Sequence, residues 1–243
     1  MMRFVFPRLA GGKVRRLLAF AIAFSGSVLL TGCLHPPVDD SARIGPFFTP
    51  RNFSGDALLP PTLRRVVLLP TAGGSIAPPE SVTALDRVFI AELQSKNRFE
   101  VVTLTRADCL KRFQAEEFSS VGPLPANLMN RLQNEFGADA VMFLDLTVFK
   151  PYRPLALGVR AKLATTEENV RLVWTFDNVY SAADAAVANS ARNHFLESDG
   201  GRIPADLTPS VLQSPARFAS YVGASMFSTL PPVYVRPQVI DAK

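Results

Sequence analysis

The sequence predicts an α/β sandwich: a mixed sheet, parallel at its start and closed by an antiparallel hairpin, with helices packed against it. Three observations support this prediction. The chain is 48% hydrophobic and 19% charged, which is typical of a globular protein. Apolar runs alternate with amphipathic helical stretches over residues 64–148, an order that gives parallel strands joined by helices. Residues 155–179 then alternate apolar and polar positions around an acidic turn.

The first half of the domain has clear local signals. Residues 66–69 are a run of Val and Leu, typical of a central strand. Ser81 caps a helix whose apolar residues recur at intervals of three and four. A second strand is predicted at 99–104, and the capping-box spacing of Thr105 and Asp108 opens the next helix, with Asp in place of Glu.

The second half follows from turn residues and alternation. Pro125 is predicted to begin a helix and Gly137 to end it, because proline suits the first helical turn and glycine the left-handed cap. The remaining elements are a loop, three strands and two helices at 116–125, 139–148, 155–164, 170–179, 182–195 and 215–229.

Charge is unevenly distributed. Five of the 26 bases lie in residues 1–32, which hold no acid, so that the rest of the chain carries as many bases as acids, 21 of each. The basic character therefore belongs to the leader. Because a nucleic-acid-binding domain needs a basic surface, we expect no nucleic-acid partner.

The leader reads as a secretory signal. A basic stretch precedes the 14-residue apolar run Leu17–Leu30, which is shorter than the ~20 residues of a permanent membrane helix. Leu30, Thr31, Gly32 and Cys33 follow and resemble the lipobox of bacterial lipoproteins, in which the cysteine thiol is joined to a diacylglycerol before cleavage. An ordinary signal peptide with a chance cysteine, or a retained anchor helix, remains an alternative.

The lipobox resemblance implies a mature protein that begins at Cys33 and is held on a membrane by its acyl chains. In this family, Asp after the cysteine is associated with retention at the inner membrane, whereas this chain has Leu34. The resemblance thus implies the periplasmic face of the outer membrane. The predicted domain boundaries are 1–32 for the signal peptide, 33–63 for a lipidated tether, 64–230 for the globular domain and 231–243 for a loose tail.

Residues 34–63 contain six prolines and no sustained period, which predicts a stiff, extended tether. At ~3.1 Å per residue, such a tether would reach roughly 90 Å from the lipid. The alternative is that the stretch Ile44–Phe53, which contains three Phe, packs on the domain.

Residues 64–180 resemble a domain of bacterial envelope proteins. The pattern consists of a Val-Val-Leu-Leu-Pro strand at 66–70, Arg-Phe-Glu-Val-Val at 98–102 and Gly-Ala-Asp at 137–139. It is similar to the anticodon-binding-like domain of the TolB amino-terminal domain, the curli-secretion channel lipoprotein and the lipoprotein activators of penicillin-binding proteins. The long hairpins of the curli channel are missing, so a pore is disfavoured.

Few residues suggest chemistry. Two histidines, His35 and His194, and one remaining thiol, Cys109, predict no metal site and no cofactor. Cys109 is expected to be a buried apolar side chain, with a reactive thiol as the alternative. Three weaker patterns are a Ser190/His194 pair, a phosphate-binding turn at 71–75 and a carboxylate pair of Asp139 and Asp145. We expect each of these three patterns to have a structural role rather than a chemical one.

The hairpin loop at 149–154 interleaves aromatic and basic side chains between prolines. Aromatic and Arg side chains are enriched at protein interfaces. Its candidate partner contacts are Phe149, Lys150, Tyr152 and Arg153. The sequence therefore favours a non-enzymatic lipoprotein that binds an envelope protein. A subunit of a ring-forming secretion or surface-structure complex, and hence a homo-oligomer, is the first alternative, and a cell-envelope hydrolase is the second.

Overall fold

The computed structural model describes residues 41–167, 169–198 and 211–233. In chain order the elements are α1 (Ser41–Ile44), β1 (Phe53–Gly55), β2 (Arg65–Leu68), α2 (Pro79–Ser95), β3 (Glu100–Thr103), α3 (Arg106–Phe113), α4 (Leu128–Phe136), β4 (Ala140–Lys150), β5 (Ala156–Thr165), β6 (Leu172–Ser181), α5 (Ala185–Ser198) and α6 (Pro215–Phe227).

The strands form one mixed sheet in the order β1-β6-β5-β4-β2-β3. Strand β2 pairs in parallel with both β3 and β4, and the pairs β4–β5, β5–β6 and β6–β1 are antiparallel. The predicted α/β class and mixed sheet are therefore confirmed.

The two faces of the sheet are covered differently. On one face, a large core packs the sheet against α2, α5 and α6, with Phe89, Trp174 and Phe227 fully buried. On the other face, α3 and α4 cover only the parallel part, where Val67 and Val141 lie. The second face of β5 and β6 has no helix over it in the part of the chain that the structure describes, and polar side chains line it.

Several local signals act as predicted. The Thr105 hydroxyl accepts from the Asp108 amide at 3.1 Å, and the Asp108 carboxylate accepts from the Thr105 amide at 3.2 Å. This reciprocal pair fixes the start of α3. Gly137 ends α4 in the left-handed region, with φ of 61°. A residue with a Cβ is strained in that conformation.

Two predicted helix starts are displaced. Helix α2 begins at Pro79, with Pro78 as its cap, and not after Ser81. Proline is suited to the first helical position because the N–H that it lacks would have no partner there. Helix α4 begins at Leu128 rather than at Pro125, because residues 125–127 form a turn in which the Leu128 amide donates to the Pro125 carbonyl.

The segment expected to be an extended tether is packed on the domain where the structure describes it. Helix α1 lies against α5, and β1 adds to the edge of the sheet beside β6. Leu59 and Leu63 are buried, and the Phe48 ring lies 5.0 Å from that of Tyr180. Burial of these apolar side chains stabilises a packed conformation over an extended one. The geometry of 41–63 agrees with the alternative left open for Ile44–Phe53.

The start of the expected tail also contacts the domain. The Leu59 amide donates to the Pro232 carbonyl at 2.9 Å. Leu59 and Val233 also form an isolated parallel β-bridge. Residues 234–243 lie outside the described part of the chain.

Candidate functional site

The turn that follows β2 is closed by a side chain of the protein itself. The amides of Gly73 and Gly74 both donate to one oxygen of the Glu117 carboxylate, at 3.1 Å each. Paired backbone N–H groups of this kind bind anions. Because Glu117 already satisfies them, the structure supports the reading of residues 71–75 as a structural turn rather than a phosphate site.

An arginine holds this turn in place from the other side. The Arg106 guanidinium contacts Glu117 at 2.7 Å and Asp86 at 3.1 Å, and it donates to the Thr71 carbonyl at 2.7 Å. Asp86 in turn accepts from the Thr71 amide at 2.8 Å. The Arg106 side chain is only 19% exposed, so the network lies in a partly desolvated environment where charge pairing is less screened.

A cleft of about 380 Å³ lies beside this turn. Its polar lining comes from Glu117, Asp145, Thr147 and Arg160, together with serine hydroxyls. The cleft therefore offers hydrogen-bond donors and acceptors, and its lining includes both acidic and basic side chains. Its volume lies at the lower end of the range for small-molecule sites.

A second cleft, of about 290 Å³, continues over the uncovered face of β5 and β6 and shares Arg160 with the first. Arg160 contacts the Asp177 carboxylate through two nitrogens, at 2.8 and 2.7 Å. Lys162 donates to the Ser120 carbonyl at 3.0 Å, and the Asp145 carboxylate accepts from the Ser120 amide at 3.0 Å. We call these residues, Asp145, Arg160, Lys162 and Asp177, the open face. Its two acids and two bases balance, which suits a polar contact rather than a polyanion.

The structure does not bring the two aspartates together. Asp139 accepts from the amides of Arg64 and Arg65, at 2.8 and 2.9 Å, and so joins the starts of β4 and β2. Asp145 is six residues further along the strand, roughly 20 Å away at the usual rise. The Gly-Ala-Asp motif at 137–139 is therefore a device for strand alignment, and a paired-carboxylate mechanism has no geometric support.

The Ser190/His194 pair is likewise engaged in packing. The Ser190 hydroxyl accepts from the Phe48 amide at 2.8 Å, which attaches the N-terminal segment to α5. The His194 ring lies edge-on to Phe195, and burial lowers the pKa of its imidazole. Ser190 thus holds the chain rather than acting as a nucleophile.

Cys109 is fully buried between α3 and the sheet, as expected. Burial raises the pKa of its thiol to about 11. At neutral pH the side chain is therefore a neutral thiol without access to reagents.

We expect Cys109 to resist iodoacetamide at pH 8 in the folded protein and to react once the protein is unfolded in urea. The folded thiol keeps its proton above the usual pKa of 9.0, so that unfolding exposes a group that ionises and reacts more readily. Mass spectrometry after alkylation measures this directly. Equal labelling in both states would show that Cys109 is accessible and refute its buried role.

Among the described residues, no three His, Cys, Asp or Glu side chains are grouped so that they could hold a metal ion. In the same part of the chain, no helix has both the length and the apolar character to span a bilayer.

The hairpin loop between β4 and β5 divides the four predicted contact residues into two kinds. Phe149 is partly buried against the helical core, whereas Tyr152 is 79% exposed. Lys150 and Arg153 are also exposed. The loop therefore presents a ring and two cations to solvent, supported from below by Phe149.

The lipobox residues Leu30, Thr31, Gly32 and Cys33, the sorting residue Leu34 and His35 lie outside the described residues. The sequence alone did not reveal the role of Glu117, which reaches the turn from a distant loop, or the grouping of the open-face residues. The polar positions of β5 and β6 indicated a wet face, but only the register places Arg160 opposite Asp177.

No protein-family model matches the chain, and no curated protein matches it in sequence. Solved structures that are similar to part of the chain are found. A PelC dodecamer from Paraburkholderia phytofirmans is 12% identical, with a TM-score of 0.41, and the match covers 74% of this chain and 96% of that one. Lipoprotein GNA1162 from Neisseria meningitidis is 12% identical, with a TM-score of 0.38 over 58% of this chain and 99% of that one.

The LpoB C-terminal domain from Salmonella enterica is 10% identical, with a TM-score of 0.31, over 48% of this chain and 82% of that one. One of these structures, GNA1162, is described as a lipoprotein. At such scores and identities, the likeness says nothing about what this chain binds.

Proposed function

We propose that the protein is a lipoprotein of the outer membrane, on its periplasmic face, whose domain binds another envelope protein without catalysing a reaction. The observation that carries the proposal is the Leu30-Thr31-Gly32-Cys33 sequence directly after a basic and apolar leader. A cysteine at this place is positioned for lipid attachment, and Leu34 gives no inner-membrane retention signal.

In the described domain, the side chains that could have suggested catalysis are hydrogen-bonded or buried within the fold, which supports a binding role. The residues that the sequence offered as chemical candidates are engaged in the fold: Asp139 and Asp145 accept backbone amides, Ser190 accepts an amide, and Cys109 is buried. Side chains that are not buried remain in the hairpin loop, and Arg160, Lys162 and Asp177 of the open face also reach solvent. These are the surfaces on which a partner would be bound.

Of these two surfaces, the hairpin loop is the one proposed to contact the envelope partner. Tyr152 is 79% exposed beside Arg153, in a loop that also contains Pro151 and Pro154. Proline restricts the backbone, so that the loop loses little conformational entropy on binding. Tyr and Arg are also the side chains that most often dominate the energy of an interface.

Replacing Tyr152 and Arg153 together by alanine is expected to reduce recovery of the partner at least tenfold, because each truncation at an interface hot spot costs about 2 kcal/mol. The measurement is quantitative pull-down from intact membranes after crosslinking. The thermal midpoint should not change, because Tyr152 is largely exposed.

The matched control is Leu110→Ala with Lys111→Ala on α3, where both side chains are exposed. It should leave recovery unchanged. Equal recovery by the loop variant and the control would remove the loop from the interface.

Crosslinking of intact membranes followed by mass spectrometry separates the proposed role from the alternative. Crosslinks to a different protein through lysines near the loop, such as Lys150, are expected. Crosslinks confined to copies of this chain, in a pattern that closes a ring, would instead favour a subunit of a secretion or surface-structure complex.

A further inference from the structure

The packed N-terminal segment shortens the distance between the domain and the lipid. If Cys33 is lipidated, only residues 34–40 separate it from Ser41, the first described residue of the domain. Seven residues span roughly 22 Å in polyproline geometry, compared with roughly 90 Å for the full tether expected from sequence. The part of the domain next to Ser41 must therefore stay close to the membrane surface.

The surface at this position is apolar and basic. Ile44 is 66% exposed and Phe47 is 45% exposed, and the exposed Arg43 is adjacent. We call these three residues the N-terminal patch. The neighbouring Phe48 differs from them: its ring packs inward against Tyr180, and its amide donates to the Ser190 hydroxyl. The backbone is thus anchored on the domain while Ile44 and Phe47 remain available to a partner.

The underlying structure holds the patch in a fixed place. Helix α1 buries Ala42 completely against the core, and the Arg192 guanidinium donates to the Ser41 hydroxyl at 3.4 Å. The patch is therefore carried by a segment attached to α5, not by a free chain. A rigid patch binds a surface at less entropic cost than a flexible one does.

We propose that the N-terminal patch lies on the phospholipid surface into which the Cys33 lipid inserts. Exposed apolar and aromatic side chains are the chemistry that binds a bilayer interface, where the ring and the aliphatic chain enter the headgroup boundary. The proposal rests on the proposed lipid anchor. It adds that the domain is oriented by direct contact with the bilayer and not only tethered to it.

The test uses the full lipidated protein in vesicles of phosphatidylethanolamine and phosphatidylglycerol. A cysteine introduced by Phe47→Cys is labelled with a polarity-sensitive fluorophore. Labelling is selective because Cys33 would be blocked by its lipid and Cys109 is fully buried. The control is Leu110→Cys on α3, where the native side chain is 48% exposed, similar to the 45% of Phe47.

The label at residue 47 should emit at shorter wavelength on vesicles than in detergent-free buffer with the unlipidated protein, in which Cys33 is replaced by alanine so that no second thiol is labelled. Brominated lipids should quench the label on vesicles. The label at residue 110 should show neither change. A label placed by Ile44→Cys should repeat the result for residue 47 and guards against a local effect of one substitution.

Two outcomes overturn the inference in distinguishable ways. If residues 44 and 47 behave as residue 110 does while mass analysis shows lipid on Cys33, the patch does not contact the bilayer and the proposed function stands. If mass analysis shows no lipid on Cys33, the proposed function falls, and this inference falls with it.

Discussion

Replacing Cys33 by alanine is expected to abolish lipid attachment and, with it, retention at the outer membrane. Without the thiol, no diacylglycerol can be attached, and the leader that ends at Gly32 should remain uncleaved or be removed to give a soluble product. Buried acyl chains contribute ~0.8 kcal/mol per methylene, so that several acyl chains hold the protein far more strongly than a small apolar patch does. Loss of the variant from the outer-membrane fraction should therefore be nearly complete. Membrane fractionation and mass analysis of the product measure it.

The chain provides a matched control for this variant in its other cysteine. Cys109→Ala makes the same substitution in a fully buried side chain and should leave processing and fractionation unchanged. Recovery of mature Cys33→Ala protein in the outer-membrane fraction would argue against the lipid anchor.

Replacing Arg106 by alanine is expected to lower the free energy of unfolding by about 3 kcal/mol, because it leaves two partly buried carboxylates without their cation. Asp86 and Glu117 are 17% and 30% exposed, and both lose a contact of about 3 Å. The Thr71 carbonyl loses its guanidinium donor as well. Urea unfolding followed by Trp174 fluorescence measures the change, because this indole is fully buried.

The control for Arg106 is Arg171→Ala. Arg171 pairs with Asp56, but the two side chains are 50% and 36% exposed, and surface pairs contribute less than about 1 kcal/mol. A difference of about 2 kcal/mol between the variants is therefore expected. Equal losses of stability would show that the network around the glycine turn is no stronger than a surface ion pair.

Local sequence signals were sufficient for most of the elements. Thr105 and Asp108 satisfy each other within four residues, and Gly137 needs only its own backbone conformation, so both signals can be read without the fold. The apolar spacing predicts helix α2, but a cap at Ser81 puts its start three residues too late, because Pro79 occupies the first helical position.

Long-range contacts account for what the sequence did not reveal. Glu117 meets Gly73 and Gly74 across more than forty residues of chain, so no local pattern could identify it as the anion in the turn. The prolines of the 34–63 segment indicated an extended chain, but Phe48 and Leu59 find apolar partners on β6 and in the core only once the sheet has formed. Composition alone does not show whether the free energy gained by burying these side chains exceeds the preference of a proline-rich chain for an extended conformation.

The packed segment also changes how the proposed partner would be reached. A domain on a long tether would sample the depth of the periplasm, whereas one held by seven residues stays near its membrane. If both the proposed lipid anchor and the proposed loop contact hold, the partner that contacts Tyr152 should itself lie close to that membrane. Crosslinks to soluble periplasmic proteins alone would be at odds with this placement.

The lipid on Cys33 is tested most directly by intact mass analysis of the protein purified from its native membrane. We expect a chain that starts at residue 33 and carries a diacylglyceryl group on the Cys33 sulfur, with a further acyl chain on its amino group. A product with residues 1–32 still attached, or with an unmodified thiol at residue 33, would contradict it.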